Sequence, residues 1–90
     1  MAIFKSQAQV LTASGQELGE GLAYLHLPRG LERAQQSGGT ISLRSWRPSG
    51  EPPTALCLED GRRLEVRVSR DALSECSRNR VLRFQFDWPG

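Results

Sequence analysis

The chain has 90 residues, a hydrophobic fraction of 38% and a formal net charge of +2. This length suits one small domain, and no apolar run approaches the roughly 18 residues of a membrane-spanning helix. A net charge so close to zero does not by itself indicate a polyanionic partner. The first residues show no basic segment followed by an apolar block, so we expect no secretion signal and a cytoplasmic location.

Cysteine and histidine are both scarce. The two cysteines, Cys57 and Cys76, are not spaced as metal ligands, and His26 is the single histidine. We therefore expect two reduced thiols and neither a metal ion nor a cofactor. A catalytic serine or cysteine needs a neighbouring base, and nothing in the sequence places His26 beside one. We predict that the protein is not an enzyme and has no catalytic residues.

Residues 4–12 and 18–27 are predicted to form the first two strands, because apolar and polar side chains alternate in both. A two-residue loop, Ser14-Gly15, joins them in this prediction. The register that follows places Val10 opposite Gly19. It brings six apolar side chains to one face of the hairpin: Phe4, Ala8, Val10, Ala23, Leu25 and Leu27.

The next segment contains several prolines and glycines. Pro28 is expected to end the second strand. Residues 30–37 have too few apolar side chains to decide between two helical turns, ended by the two glycines that follow, and an irregular loop. Residues 40–47 are predicted as a third strand with Ile41 pointing inward, and residues 48–53 as a rigid, exposed connection.

Residues 54–59 and 63–69 are predicted to form the fourth and fifth strands. A two-residue loop between them would put their leucines on opposite faces. We therefore predict a three-residue loop over residues 59–61, with its final glycine in a left-handed conformation. This loop sets Leu56 opposite Leu64.

A short helix and a last strand complete the prediction. Ser69 is expected to cap a helix over residues 70–76. Three side chains of this helix are predicted to be buried: Ala72, Leu73 and Cys76. The sixth strand covers residues 82–88, and its dry face carries three aromatic side chains: Phe84, Phe86 and Trp88.

Six short strands and at most two short helices indicate an all-β fold. An antiparallel sheet must cover its apolar face, and two short helices are not enough to cover this one. The sheet is therefore expected to curl into a small six-stranded antiparallel barrel or a two-sheet sandwich. Residues 1–90 would form a single domain.

The segment Arg44-Ser45-Trp46-Arg47 is the first candidate binding surface. If Leu43 faces inward, strict alternation turns Trp46 outward beside Arg44. A tryptophan flanked by arginines can stack on a base, a proline or another aromatic ring. The alternative is a bulge near Ser45, which would return Trp46 to the core.

A second candidate surface is rich in arginine. Arg63 and Arg67 of the fifth strand and Arg83 of the sixth are predicted to point outward. Nucleic acid bound at such a face would contact it mainly through phosphates and would depend steeply on salt. Cross-strand ion pairs with neighbouring carboxylates would explain the same pattern without a ligand.

These patterns favour a non-catalytic binding module that recognises a protein, or that pairs with itself through an exposed sheet edge or face. The alternative is a nucleic-acid-binding barrel that uses its arginine-rich face. No membrane, metal or cofactor partner is expected. The candidate binding residues are Arg44, Trp46, Arg47, Arg63, Arg67 and Arg83.

Overall fold

The computed structural model describes residues 2–27 and 36–87. Its strands close into an antiparallel barrel in the order β1-β2-β3-β6-β5-β4. In chain order the elements are β1 (Ala2–Thr12), β2 (Glu17–Leu27), β3 (Gln36–Trp46), β4 (Pro53–Leu58), β5 (Arg63–Arg67), α1 (Arg70–Asn79) and β6 (Val81–Asp87). The all-β prediction is confirmed, and the sheet closes as a barrel rather than a sandwich.

The β1–β2 hairpin has the predicted register, with Phe4 opposite Leu25 and Val10 opposite Gly19. Four of the six side chains that alternation places inward are buried, and Phe4 is half-buried against the core. The sixth, that of Leu27, lies outside the described side chains. The buried ones are Ala8, Val10, Ala23 and Leu25.

The turn of this hairpin differs from the prediction. The Thr12 N–H donates to the Gln16 carbonyl over 2.9 Å, so the loop holds three residues, 13–15, instead of two. Gly15 has a φ of +89° and ends the loop in a left-handed conformation. A bulge follows in which Leu18 is the extra residue, and this restores the predicted register beyond it.

The third strand begins four residues earlier than predicted, at Gln36. Gly38 and Gly39 therefore belong to β3 instead of ending a helix, because β3 pairs with β6 along this whole stretch. The predicted strand end at Pro28 and the predicted helix or loop up to residue 35 lie outside the described residues.

The β4–β5 turn confirms the predicted three-residue loop. The Leu58 N–H donates to the Arg62 carbonyl over 2.8 Å, and the Gly61 N–H donates to the Leu58 carbonyl over 2.9 Å. Gly61 is left-handed, with a φ of +93°, and Leu56 lies opposite Leu64. The strand after this turn ends at residue 67, two residues earlier than predicted.

Helix α1 begins as predicted and ends later. The Ser69 hydroxyl accepts the Ala72 N–H over 3.1 Å, which caps the first turn. The helix runs three residues past its predicted end, because neither glycine nor proline interrupts residues 77–79. Arg80 ends it in a left-handed conformation and donates its N–H to the Cys76 carbonyl over 2.8 Å.

Apolar side chains fill the inside of the barrel. Seven of the residues that form it are fully buried: Val10, Leu25, Ile41, Leu56, Leu64, Leu82 and Phe86. The Phe84 and Phe86 rings lie 5.9 Å apart, in the core as predicted. Trp88, also predicted as core, lies outside the described residues. In small barrels, side chains occupy the space that larger barrels offer to a ligand.

The barrel closes at a short seam. Strands β5 and β6 pair at Val66–Phe86 and at Arg67–Gln85, whereas β1 and β2 pair along almost their whole length. Helix α1 follows β5 and packs on β6, and its Leu73 side chain, predicted to be buried, is partly buried against the core. No helix in the described part of the chain has the length and hydrophobicity to cross a membrane.

Candidate functional site

The six candidate residues do not form one site on the barrel. Arg67 and Arg83 line one groove on its outer surface. Arg63 is four residues from Arg67 on the same strand, about 13 Å along it, and lines a neighbouring depression that Arg67 also borders. The remaining three candidates, Arg44, Trp46 and Arg47, lie at the end of β3. The predicted arginine face therefore extends over two neighbouring depressions, and Arg67 borders both.

We call the groove that Arg67 and Arg83 line the outer groove. Its volume is about 670 Å³, and it lies over β3 and β6 beside the first turn of α1. Six of its lining residues carry polar side chains: His26, Thr40, Arg67, Ser69, Arg83 and Gln85. Among the described residues that line it, none carries a carboxylate.

The strand register explains why the outer groove forms. Thr40 lies opposite Arg83, and Gly38 lies opposite Gln85. Gln85 in turn lies opposite Arg67 on its other side. Polar side chains therefore surround Gly38. A Cβ atom at Gly38 would find no atom within 4 Å. The floor of the groove is open there because the residue has no side chain.

An ion pair holds one arginine at the groove. The Arg83 Nη2 atom lies 2.8 Å from both carboxylate oxygens of Glu75 on α1. Both side chains are partly exposed, so this pair contributes little to stability. The ion pair fixes the position of the guanidinium group. The other N–H groups of this planar, forked group then point in fixed directions.

Trp46 lies away from the outer groove. The β2–β3 register shifts between Glu20 and Gly21, which leaves Arg44 as an extra residue on β3. This bulge turns Trp46 against the core, where it is half-buried. The exposed orientation expected from strict alternation is therefore wrong, and the bulge alternative is correct. In the described part of the chain, the buried Trp46 Nε1 atom has no hydrogen-bond acceptor.

The arginines on either side of Trp46 also lie elsewhere. Arg44 donates to the Gln7 Oε1 atom over 2.7 Å and lies 3.9 Å from a carboxylate oxygen of Glu20, on the β1–β2 surface. Arg47 is exposed, and its backbone N–H donates to the Leu18 carbonyl over 2.7 Å. These contacts do not join either arginine to the outer groove.

Cys76 and His26 lie in different environments of the barrel. Burial raises the pKa of the Cys76 thiol to about 11, so at neutral pH this cysteine is protonated. His26 is exposed on the outside of the barrel, whereas Cys76 lies in the core. Within residues 2–27 and 36–87, no three His, Cys, Asp or Glu residues lie close enough to hold a metal ion.

Sequence reasoning missed four contributors to the outer groove: His26, Gly38, Thr40 and Ser69. Alternation along β2 places His26 on the face opposite to Leu25, which is the outer face, but it does not show which strands are neighbours. The groove depends on the pairing of β3 with β6, which are separated in the chain by two strands and a helix.

Comparisons of the chain with models of known families, with curated proteins and with solved structures found no match.

Proposed function

We propose that this chain is a non-catalytic binding module that recognises a protein partner through the outer groove. The observation that carries this proposal is the filled interior of the barrel, which directs any recognition to the outside. The groove contains Arg67 and Arg83 within one concave surface. Concave surfaces with a few convergent polar groups are the usual form of binding sites.

The polar groups of the groove favour an acidic segment of the partner. Arg67 and Arg83 supply forked donors that match carboxylate geometry, and Gln85 and Thr40 add neutral donors. The groove also reaches Ser69 and Ala72 at the N-terminal end of α1, where the helix dipole favours negative charge. An extended, glutamate-rich peptide fits this chemistry.

Substitution of the groove arginines tests the proposal. Binding of a labelled glutamate-rich peptide is measured by fluorescence anisotropy for the unsubstituted chain and for Arg67→Gln and Arg83→Gln. We expect each variant to bind about tenfold more weakly, because each loses a charge-assisted hydrogen bond. Arg78→Gln, an exposed arginine of α1 outside the groove lining, is the matched control and should leave affinity unchanged.

Two results would contradict this proposal. One is no measurable binding of the acidic peptide at low salt. The other is an equal loss of affinity in Arg78→Gln and in the groove variants, which would indicate a diffuse effect of charge instead of a site.

Nucleic acid binding is the second candidate function. It is favoured by the two arginines that share the groove with Gln85. It is disfavoured by the position of Trp46, since the ring that would stack on a base is half-buried against the core and does not line this groove. Binding of single-stranded DNA that is tighter than peptide binding and falls steeply with salt would support this candidate instead.

A further inference from the structure

In the part of the chain that the structure describes, the first half of β1 pairs with a strand on one side. Strand β4 pairs with β1 from Ala8 to Thr12, and the Glu59 N–H then donates to the Gln7 carbonyl over 3.0 Å. From residue 2 to residue 6, β1 pairs with β2 on one side. On the other side, no strand of the described chain pairs with this segment. Among the described residues this side of β1 therefore lacks a strand partner, and we call it the free edge.

The direction of the backbone groups identifies which residues present this edge. Along an antiparallel strand, the N–H and C=O groups of successive residues point alternately to the two sides. The Gln7 carbonyl points towards β4. Ile3 and Lys5 have the same parity, so their N–H and C=O groups point to the open side, whereas the groups of Phe4 and Ser6 point to β2.

The side chains of this segment do not protect the edge. Ile3 is 55% exposed and is the exposed large hydrophobic residue of the described chain. A lysine on an edge strand usually discourages pairing. The Lys5 Nζ atom, however, lies 5.7 Å from the centre of the Tyr24 ring on β2, and this contact draws the ammonium group away from the open side.

We propose that the free edge pairs with the same edge of a second copy of this chain, antiparallel and across a two-fold axis. In an antiparallel pair across a two-fold axis, the two residue numbers of every pair add up to the same value. Hydrogen bonding also requires that residues whose N–H and C=O groups point to the open side face each other. A register centred on Lys5 would oppose two like charges and would need the Gln7 carbonyl, which Glu59 already occupies.

The register centred on Phe4 meets these requirements. It places Ile3 opposite Lys5 of the second copy, and each such pair exchanges two backbone hydrogen bonds. The exposed Ile3 side chain then packs on the aliphatic stem of the opposing lysine. Since only five residues of each strand take part, the interface is smaller than that of a stable dimer, and we expect weak, concentration-dependent association.

Sedimentation velocity over a wide range of protein concentration tests this inference. We expect the unsubstituted chain to pass from monomer to dimer as concentration rises. Ile3→Pro removes an N–H that points to the open side, so it should remain monomeric with an unchanged thermal midpoint. Ile3→Val keeps the backbone donor and an apolar side chain, and it should still dimerise.

A charge pair tests the register without altering the backbone. Ile3→Lys opposes two ammonium groups and should weaken the dimer, whereas Ile3→Glu places a carboxylate opposite Lys5 and should preserve it. A monomer at every concentration, or a dimer that persists in Ile3→Pro, would overturn the inference. Equal effects of Ile3→Lys and Ile3→Glu would overturn the register. None of these results depends on the outer groove, to which Ile3 and Lys5 do not contribute.

Discussion

Trp46 shows how one extra residue changes the environment of a side chain. The bulge at Arg44 turns the indole ring against the core, yet its Nε1 atom has no acceptor in the described part of the chain. The ring therefore stabilises the fold by its contacts, while its N–H group carries a desolvation cost. These two effects can be separated by substitution.

We predict that Trp46→Ala lowers the free energy of unfolding by about 2–3 kcal/mol, because it removes a large side chain that packs on the core. Trp46→Phe keeps an aromatic ring and removes the unsatisfied N–H, so it should change stability by less than about 1 kcal/mol. Urea denaturation measures both values. An unchanged free energy in Trp46→Ala would mean that the ring faces solvent.

At the scale of strands, close backbone approach between β2 and β3 requires glycine. A Cβ atom at Gly21 would overlap the Ser42 carbonyl oxygen and would lie 2.8 Å from the Leu43 Cα atom. Those are backbone atoms of the paired strand, so they cannot move aside as a flexible side chain would. Gly38, on β3, has open space where its Cβ would lie.

We therefore predict that Gly21→Ala destabilises the protein by about 2 kcal/mol or more, since β2 and β3 must separate to admit the methyl group. Gly38→Ala is the matched control, with the same chemical change at a site without neighbours, and should be close to neutral. The free energy of unfolding in urea is the measurement. Equal losses in the two variants would show that glycine is needed at both sites for another reason.

The two hairpin turns show what alternation can and cannot predict. Both loops contain three residues and end in a left-handed glycine, Gly15 or Gly61. At the β4–β5 turn a two-residue loop was excluded, because it put Leu56 and Leu64 on opposite faces. At the β1–β2 turn the extra loop residue is compensated by the bulge at Leu18. The inward and outward side chains of this hairpin therefore match the prediction although the predicted loop length is wrong. Alternation alone cannot reveal such an error.

At the scale of the whole molecule, alternation predicted the strands and the burial of their inward side chains, but not the order of the strands. The fold class and core residues such as Val10, Ile41 and Phe86 follow from a local period of two. The outer groove does not, because it needs Gln85 of β6 beside Gly38 of β3, and these strands are not consecutive in the chain. Alternation also does not show that Arg63 and Arg83 line different depressions, both of which Arg67 borders.

The short β5–β6 seam leads to a prediction about local stability. Arg67 and Gln85 form the residue pair whose backbone N–H groups point across this seam, whereas Ala8 and Val10 lie within the long β1–β2 pairing. We expect hydrogen exchange to be faster at the Arg67 and Gln85 amides than at the Ala8 and Val10 amides, because opening the seam breaks fewer hydrogen bonds than unfolding the barrel. Exchange followed by NMR measures this difference. Equal protection at all four amides would mean that the barrel opens as a single unit.

Because side chains fill the interior of the barrel, homology to another protein would be weak evidence for a shared binding partner. Outward positions such as Arg83 and Gln85 alternate with core positions such as Phe84, and they can be replaced without disturbing the packing beneath them. Two descendants of one ancestor could then keep every buried residue and bind unrelated molecules. For this architecture, homology detected from the buried residues would therefore indicate the fold but not the binding partner.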